Sequence, residues 1–323
     1  MKAIQFTATG GPEVLEVVDL PVPVAGPGQV LVRQQAIGIN FIDTYHRSGL
    51  YPVKLPSRLG MEGAGVVEAV GDGVTRFKAG DLIAYASGPL GAYAEFHAVV
   101  AERAVHLPDG VDAATGAAAM LKGMTAEFLL RRCYPVKAGE TILVHAAAGG
   151  VGSILVQWAK HLGATVIATA GSEDKADRAK NLGADHVILY RDQDVAAEVR
   201  RITDGRGVPV AYDSVGAATF EGTLASLARR GLFVSFGNAS GPVPPFAPAR
   251  LQMAGSLFFT RPTMGDYQAT TADLDESAAA LFEVIKSGAV KIDIGQTFSL
   301  AEARKAHEAL EGRETVGASL LIP

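Results

Sequence analysis

The chain has 323 residues, enough for two domains of about 150 residues each. It carries a formal net charge of −5, with 48% hydrophobic and 20% charged residues, so it can bury ordinary cores and lacks the basic balance of a nucleic-acid binder. No apolar run reaches the roughly 18 residues of a membrane span, and MKAIQFTATGGPEVL has no signal-peptide core, which predicts a non-exported, cytoplasmic protein with no membrane partner.

Residues 1–120 read as β-rich. Alternating apolar runs such as 30–34 and 63–70 are separated by Gly and Pro turns, among them PVPVAGPGQV (21–30) and GDGVTRFKAGD (71–81). From 113 to 130 the texture turns Ala- and Leu-rich and helical. Strands are then predicted at 141–145, 165–169, 186–190, 208–213 and 232–236, with helices at 150–162, 173–182, about 194–203 and about 218–229 between them. Gly163 and Gly183 stop the first two of these helices. Such alternation with short turns predicts an α/β fold with a doubly wound parallel sheet. The arginine pairs 131–132, 200–201 and 229–230 each fall on a predicted helix and read as solvated surface. The single cysteine, Cys133, excludes an intrachain disulfide, fits a reducing compartment, and reads as a core thiol beside Leu129, Leu130 and Tyr134.

After Gly237 a Pro-rich loop leads to an apolar run from Ser256 to Thr260, read as the last strand of the sheet. A helix at 271–287, a strand near Thr297, a helix at 300–311 and a strand at 318–322 follow. That tail is too small to fold alone, so it is expected to return to the first domain. The division is residues 1–121 with 263–323 for the β-rich domain, and 122–262 for the doubly wound one.

The central motif is the strand TILVH, the turn AAAGGVG and a helix. In the dinucleotide fingerprint, one glycine makes the tight turn, one admits the pyrophosphate, and one lets helix pack on strand. Here the six positions are Ala147, Ala148, Gly149, Gly150, Val151 and Gly152, so the first glycine is replaced. The flanking strand and amphipathic helix supply the context that a glycine pattern alone lacks. Unpaired N–H groups at the helix start would hold the phosphates. The second strand ends in Ala170, Gly171 and Ser172, where an NAD-binding protein usually places Asp or Glu for the ribose hydroxyls. Small residues leave room for a 2′-phosphate, and Ser172, Lys175 and the helix start can hold its charge, which favours NADPH. Tyr190, after the third strand, is a further candidate for the same phosphate. A solvated helix position is the alternative for Lys175.

These residues resemble the quinone oxidoreductase, zeta-crystallin-like branch of the medium-chain dehydrogenase/reductase superfamily. The resemblance covers the whole chain and rests on AIGINFIDTYHRSGLYP (36–52), GDGVTRFKAGD (71–81), ILVHAAAGGVG (142–152), YDSVG (212–216), RRGLFVSFGNASG (229–241) and GASLLIP (317–323). It implies a GroES-like β-rich domain, a Rossmann domain and an active-site cleft between them. Positions matching the catalytic zinc ligands of the alcohol dehydrogenase branch are Asn40, Met61 and Leu121, none a zinc ligand of the expected kind. No metal is therefore expected. A quinone is already electrophilic and can accept a hydride without a Lewis acid.

The resemblance further implies that Asn40 contacts the nicotinamide or its ribose, and that Tyr45 and Tyr51 flank the quinone opening, a half-buried strand edge being the other reading of each tyrosine. Lys122 would place charge beside the reducible carbonyl, with a helix-surface lysine as the alternative, and Thr125 would lie near the nicotinamide and pyrophosphate. Gly149, Gly150 and Val151 would meet the pyrophosphate. Ser214, Phe236, Gly237 and Ser240 would lie at the carboxyl end of the sheet, Phe258 and Thr260 over the nicotinamide, and Arg313 would reach in from the tail. Asp43, His46 and Glu62 are given structural hydrogen-bonding roles. The expected activity is NADPH-dependent reduction of a small quinone, to hydroquinone or semiquinone. An enone or alkenal reductase is the enzymatic alternative, and a crystallin-like or RNA-binding role the non-enzymatic one. A homodimer through the 256–260 strand is expected, since a paired edge avoids aggregation.

Overall fold

In a computed structural model that describes residues 1–323, the chain divides by contact into two units. One comprises Met1–Met124, Thr270–Lys286 and Ile292–Pro323; the other comprises Thr125–Ala269 and Ser287–Lys291. The first unit begins with β1 (Lys2–Phe6) and β2 (Glu16–Asp19), and its organising strand is β3 (Gln29–Ile39). That strand runs five residues past the expected 30–34 because Gly38 interrupts nothing: a Cβ there would run into the Glu62 carboxylate and the Ala117 carbonyl. Then come α1 (Phe41–Ser48), β4 (Ser57–Arg58), β5 (Glu62–Val70), β6 (Leu82–Tyr85), β7 (Phe96–Val100), β8 (Ala104–His106) and α2 (Ala113–Phe128). Val30, Val32, Ile37, Ile39, Val67 and Ile83 belong to one core; Val30 and Val32 differ in parity from Ile37 and Ile39, and the register shift between Gln34 and Ala36 accommodates the change.

The second unit opens within the last turn of α2, which a π-helical turn, Leu129–Cys133, extends. Its alternation is β9 (Thr141–Val144), α3 (Gly150–His161), β10 (Thr165–Ala170), α4 (Glu173–Asn181), β11 (His186–Leu189), α5 (Val195–Ile202), β12 (Val208–Asp213), α6 (Phe220–Ser226), β13 (Leu227–Ser235), α7 (Ala249–Met253), β14 (Phe258–Thr260) and α8 (Met264–Tyr267). All six strands are parallel, in the order β11-β10-β9-β12-β13-β14. The order reverses direction beside β9, so the glycine-rich turn after β9 falls at the switch point where open sheets bind ligands.

Two local expectations are corrected here. The helix expected at about 218–229 stops at Ser226, and Arg229 and Arg230 lie in β13. Leu227 is buried and pairs with Val208, so sheet pairing overrides the helical propensity of the Leu-Ala-Arg-Arg run. Cys133 is half-buried at the end of the π-helical turn, and burial raises its thiol pKa.

The tail supplies α9 (Thr271–Lys286), β15 (Ile294–Ser299), α10 (Ala303–Glu311) and β16 (Ala318–Ile322). In the first unit's seven-stranded sheet, β16 lies between β15 and β3, pairing Ser319, Leu320 and Leu321 with Ile39, Gly38 and Ile37.

Candidate active site

The glycine-rich turn shows why its first glycine is dispensable. The left-handed residue is Ala146, at φ 52°, one position before Ala147. The Ala147 N–H is held by the Thr169 carbonyl at 3.3 Å, and the Gly149 N–H by the Ala146 carbonyl at 2.9 Å. At Gly152 a Cβ would collide with the Ala146 carbonyl oxygen, so the close passage of helix over strand depends on glycine there. Gly149 is the extended N-cap of α3 and offers no side chain to cap it. The first-turn N–H groups of Gly150 and Val151 are thus aimed at whatever anion the turn receives. A dinucleotide pyrophosphate fits this arrangement.

At the tip of β10, Ala170 is buried and Ser172 is the N-cap of α4, its Oγ accepting from the Lys175 N–H at 3.4 Å. A Cβ on Gly171 would strike the Tyr190 hydroxyl, so the Tyr190 ring lies against that glycine. Ser172, Lys175 and Tyr190 therefore gather around one small-residue tip, while Glu173 and Asp174 face solvent at the helix start and complement its dipole. At the neighbouring strand ends, a Cβ on Gly237 would meet the Ser214 carbonyl. The Ser240 hydroxyl donates to the Val215 carbonyl at 2.8 Å and accepts from the Ala218 N–H at 3.0 Å. Phe236, Ser214, Gly237 and Ser240 thus share the carboxyl end of β12 and β13. Thr260 pairs with Val234 near that end, but Phe258 pairs with Leu232, further down the sheet, and is 58% exposed at its edge.

In the first unit, Asn40 caps α1, and its backbone N–H donates to Asp43 Oδ2 at 2.8 Å. Glu62, fully buried, accepts from Asn40 Nδ2 at 2.7 Å, Lys122 Nζ at 3.0 Å and the Leu121 N–H at 2.6 Å. Two of the three positions that match zinc ligands, Asn40 and Leu121, thus meet on one carboxylate, and Met61 precedes it. No group of three or more His, Cys, Asp or Glu side chains that could hold a metal ion is gathered in the chain. Lys122 is 4% exposed, which excludes the helix-surface reading. Tyr45 lies on α1 rather than on a strand edge and is buried; Tyr51 stands edge-on to it with ring centroids 5.3 Å apart. Thr125 is buried on α2, while Arg313 is exposed in a left-handed turn after α10.

Two buried polar chains were not anticipated. In the first unit Arg47 donates to His307 Nδ1 at 3.0 Å, His307 Nε2 meets the Tyr93 hydroxyl at 3.2 Å, and Tyr93 donates to Asp43 Oδ2 at 3.0 Å. Arginine only donates, which fixes the proton of the neutral imidazole on Nε2. Burial pushes the Asp43 carboxyl up to about 7, against its hydrogen bonds from Asn40 and Tyr93. In the second unit Thr169, His145, Thr223 and Asp213 are linked side chain to side chain. Spacing carries no trace of either chain: Asp43 and Arg47 share α1, but they are joined only through Tyr93 and His307 from distant segments, and the four members of the second chain come from four different segments.

A doubly wound sheet with an uncapped glycine-rich turn, in one chain with a β-rich unit, defines a dinucleotide-dependent oxidoreductase. Comparison with known proteins narrows this class. Residues 26–109 match the alcohol dehydrogenase GroES-like domain, and residues 150–280 match the zinc-binding dehydrogenase family. The quinone oxidoreductase of Pseudomonas aeruginosa is 54% identical over 323 residues, covering 100% of this chain and 99% of that protein. The structure of Escherichia coli quinone oxidoreductase complexed with NADPH superposes with a TM-score of 0.99 at 48% identity, covering 100% of both chains. A 2-haloacrylate reductase of Burkholderia sp. is 44% identical, covering 97% of this chain and 96% of that protein. The chain belongs to the quinone oxidoreductase branch of the medium-chain dehydrogenase/reductase superfamily.

Proposed function

We infer that the chain is an NADPH-dependent quinone reductase. The observation that carries the cofactor is the tip of β10, where Ala170, Gly171 and Ser172 replace an acidic residue and Lys175 and Tyr190 stand close by. When bound, NADPH supplies the hydride from C4 of its nicotinamide. The first-turn N–H groups of α3 hold the pyrophosphate, Ser172, Lys175 and Tyr190 the 2′-phosphate, and Ser214, Phe236, Gly237, Ser240 and Thr260 line the sheet end beyond it. Thr125 and Arg313 are assigned to the cofactor by the resemblance alone.

We assign Asn40, Tyr45, Tyr51 and Lys122 to the quinone and nicotinamide. Glu62 holds the Asn40 amide with Nδ2 inward and keeps the Lys122 ammonium in place. Lys122 then carries a proton at Nζ for the oxygen that becomes anionic on reduction. Turnover of 1,4-benzoquinone with NADPH, compared with NADH, tests the reading; no turnover with either cofactor would end it. The same Lys122 proton supports a second reading, reduction of an activated alkene, for which the name of the Burkholderia relative also speaks. Rates on 2-cyclohexenone and on benzoquinone separate the two.

We propose a homodimer through β14. It is the edge of the six-stranded sheet, and Phe258 is exposed on it, so pairing with a second copy would close an otherwise open edge. Sedimentation at one chain mass would overturn this. A cytoplasmic location is proposed on the single, unpaired cysteine.

A further inference from the structure

The buried chain in the second unit crosses the carboxyl ends of three adjacent strands, β10, β9 and β12. Thr169, His145, Thr223 and Asp213 are each at most 1% exposed. Thr169 Oγ1 lies 3.1 Å from His145 Nδ1, His145 Nε2 lies 2.8 Å from Thr223 Oγ1, and Thr223 Oγ1 lies 2.9 Å from Asp213 Oδ2. Proton counting sets the direction. Asp213 Oδ1 accepts from the Val215 and Gly216 N–H groups at 2.8 and 3.0 Å, which is the pattern of an acceptor-only carboxylate. The Thr223 hydroxyl must therefore donate to Oδ2, because a proton sent instead to the Thr219 carbonyl, 2.8 Å away, would set two acceptors face to face. Thr223 Oγ1 then receives the His145 Nε2 proton, and Nδ1 is left to accept from the Thr169 hydroxyl. Burial lowers the His145 pKa, against the pull of Asp213, and keeps the ring in this neutral form.

Both ends of the chain hold cofactor-facing backbone. At one end Thr169 also holds the glycine-rich turn, through its carbonyl and the Ala147 N–H. At the other, Asp213 folds the turn 214–216, which Ser240 clamps from the next strand end. We infer that Thr223 is a positioning residue for the dinucleotide: its hydroxyl, the side-chain link between His145 and Asp213, works with the backbone bond from the His145 N–H to the Tyr212 carbonyl at 3.0 Å to keep these two turns in mutual register. The inference rests on the NADPH reading above. Thr223 touches no cofactor in this scheme, so its removal should loosen binding without altering the bound chemistry.

The full-length variants Thr223→Val and Thr223→Ser test it. NADPH affinity is read by nicotinamide fluorescence, KM and kcat with 1,4-benzoquinone, and Tm without cofactor. Thr223→Val keeps the side-chain shape and should raise Kd and KM for NADPH about tenfold, as loss of one buried, charge-linked hydrogen bond implies. Its kcat at saturating NADPH should stay within about twofold, and Thr223→Ser should restore Kd to within about threefold of the parent. A Kd unchanged in Thr223→Val, with Tm lowered, would overturn the inference and leave a merely structural hydroxyl. So would equal weakening in Thr223→Ser. If Thr223→Val does not fold, Thr169→Val decides from the other side of His145: a Kd raised about threefold supports the chain, and an unchanged Kd overturns it. Failure of the parent protein itself to bind NADPH would instead strike the functional reading.

Discussion

Glu62→Gln removes the charge from a carboxyl group that is 0% exposed and strands the Lys122 ammonium, itself 4% exposed, without a counter-ion. Three donors converge on that carboxylate, from Asn40, Leu121 and Lys122, and an amide brings two more N–H donors into the same space. Removing one partner of a buried ion pair costs about 3–5 kcal/mol. At about 2–4 °C per kcal/mol for a unit of this size, Tm should fall by roughly 10 °C. Differential scanning calorimetry reads the transition directly. The double variant Glu62→Gln/Lys122→Met should recover about half of the loss or more, because methionine fills the lysine volume with no charge to bury. Lys122→Met alone should cost less than Glu62→Gln, since Asn40 and Leu121 still donate to the carboxylate. A Glu62→Gln variant melting within about 2 °C of the parent, or a double variant no more stable than the single one, would refute the claim that this carboxylate is the charge partner holding the site together.

Three further outcomes follow from the same structure. Lys175→Ala should reduce the preference for NADPH over NADH about tenfold in kcat/KM, leaving NADH kinetics nearly unchanged; equal loss with both cofactors would remove Lys175 from the 2′-phosphate site. Gly152→Ala drives a Cβ onto the Ala146 carbonyl, so thermal shift should show a loss of about 1–3 kcal/mol and a smaller stabilisation by NADPH. Acid should weaken the first unit, because burial, with Arg47 adding to it, pushes His307 down to about 3. A neutral buried imidazole that must charge on unfolding contributes stability above pH 6.5, and that contribution is lost as pH falls toward 3. Asp43, pushed up to about 7, works in the opposite sense as pH rises through the window between its ordinary 3.8 and 7. His307→Gln should flatten the acid limb of Tm against pH, and an unaltered slope would show that the imidazole carries no such linkage.

The sheet, the turn and their order were legible because they are local. The strand-turn-helix around Gly149–Gly152 announces itself by period and punctuation, and α6 was overextended only because the burial of Leu227 against β12 is a tertiary fact. Lys122 shows the limit: a lysine on an Ala-rich helix reads equally as surface or buried until Glu62, sixty residues earlier, is seen beneath it. His145 carried no signal at all, since it ends an apolar strand and its partners lie 24 and 78 residues away. Asp213 lies inside the YDSVG motif, but what it does depends on N–H groups whose directions only the folded turn sets. Local pattern fixes which backbone groups are paired; long-range side-chain hydrogen bonds leave no periodic trace.

The place of β16 has a consequence for synthesis. The strand β3 is made early, yet half of one of its edges stays open until Ala318–Ile322 arrives to pair with it. The second unit, by contrast, has all six strands of its sheet once Thr260 has been made. A nascent chain should therefore complete its middle before its beginning, reversing the N-terminal-first order usual for domains emerging from the ribosome. Until then Ile37 and Ile39 lie on an unpaired apolar edge of the kind that recruits strands from other chains. A chain stalled or clipped before residue 318 would carry a finished cofactor sheet joined to an aggregation-prone partner, and quality control would meet this protein as an all-or-nothing product of the Ala318–Ile322 segment.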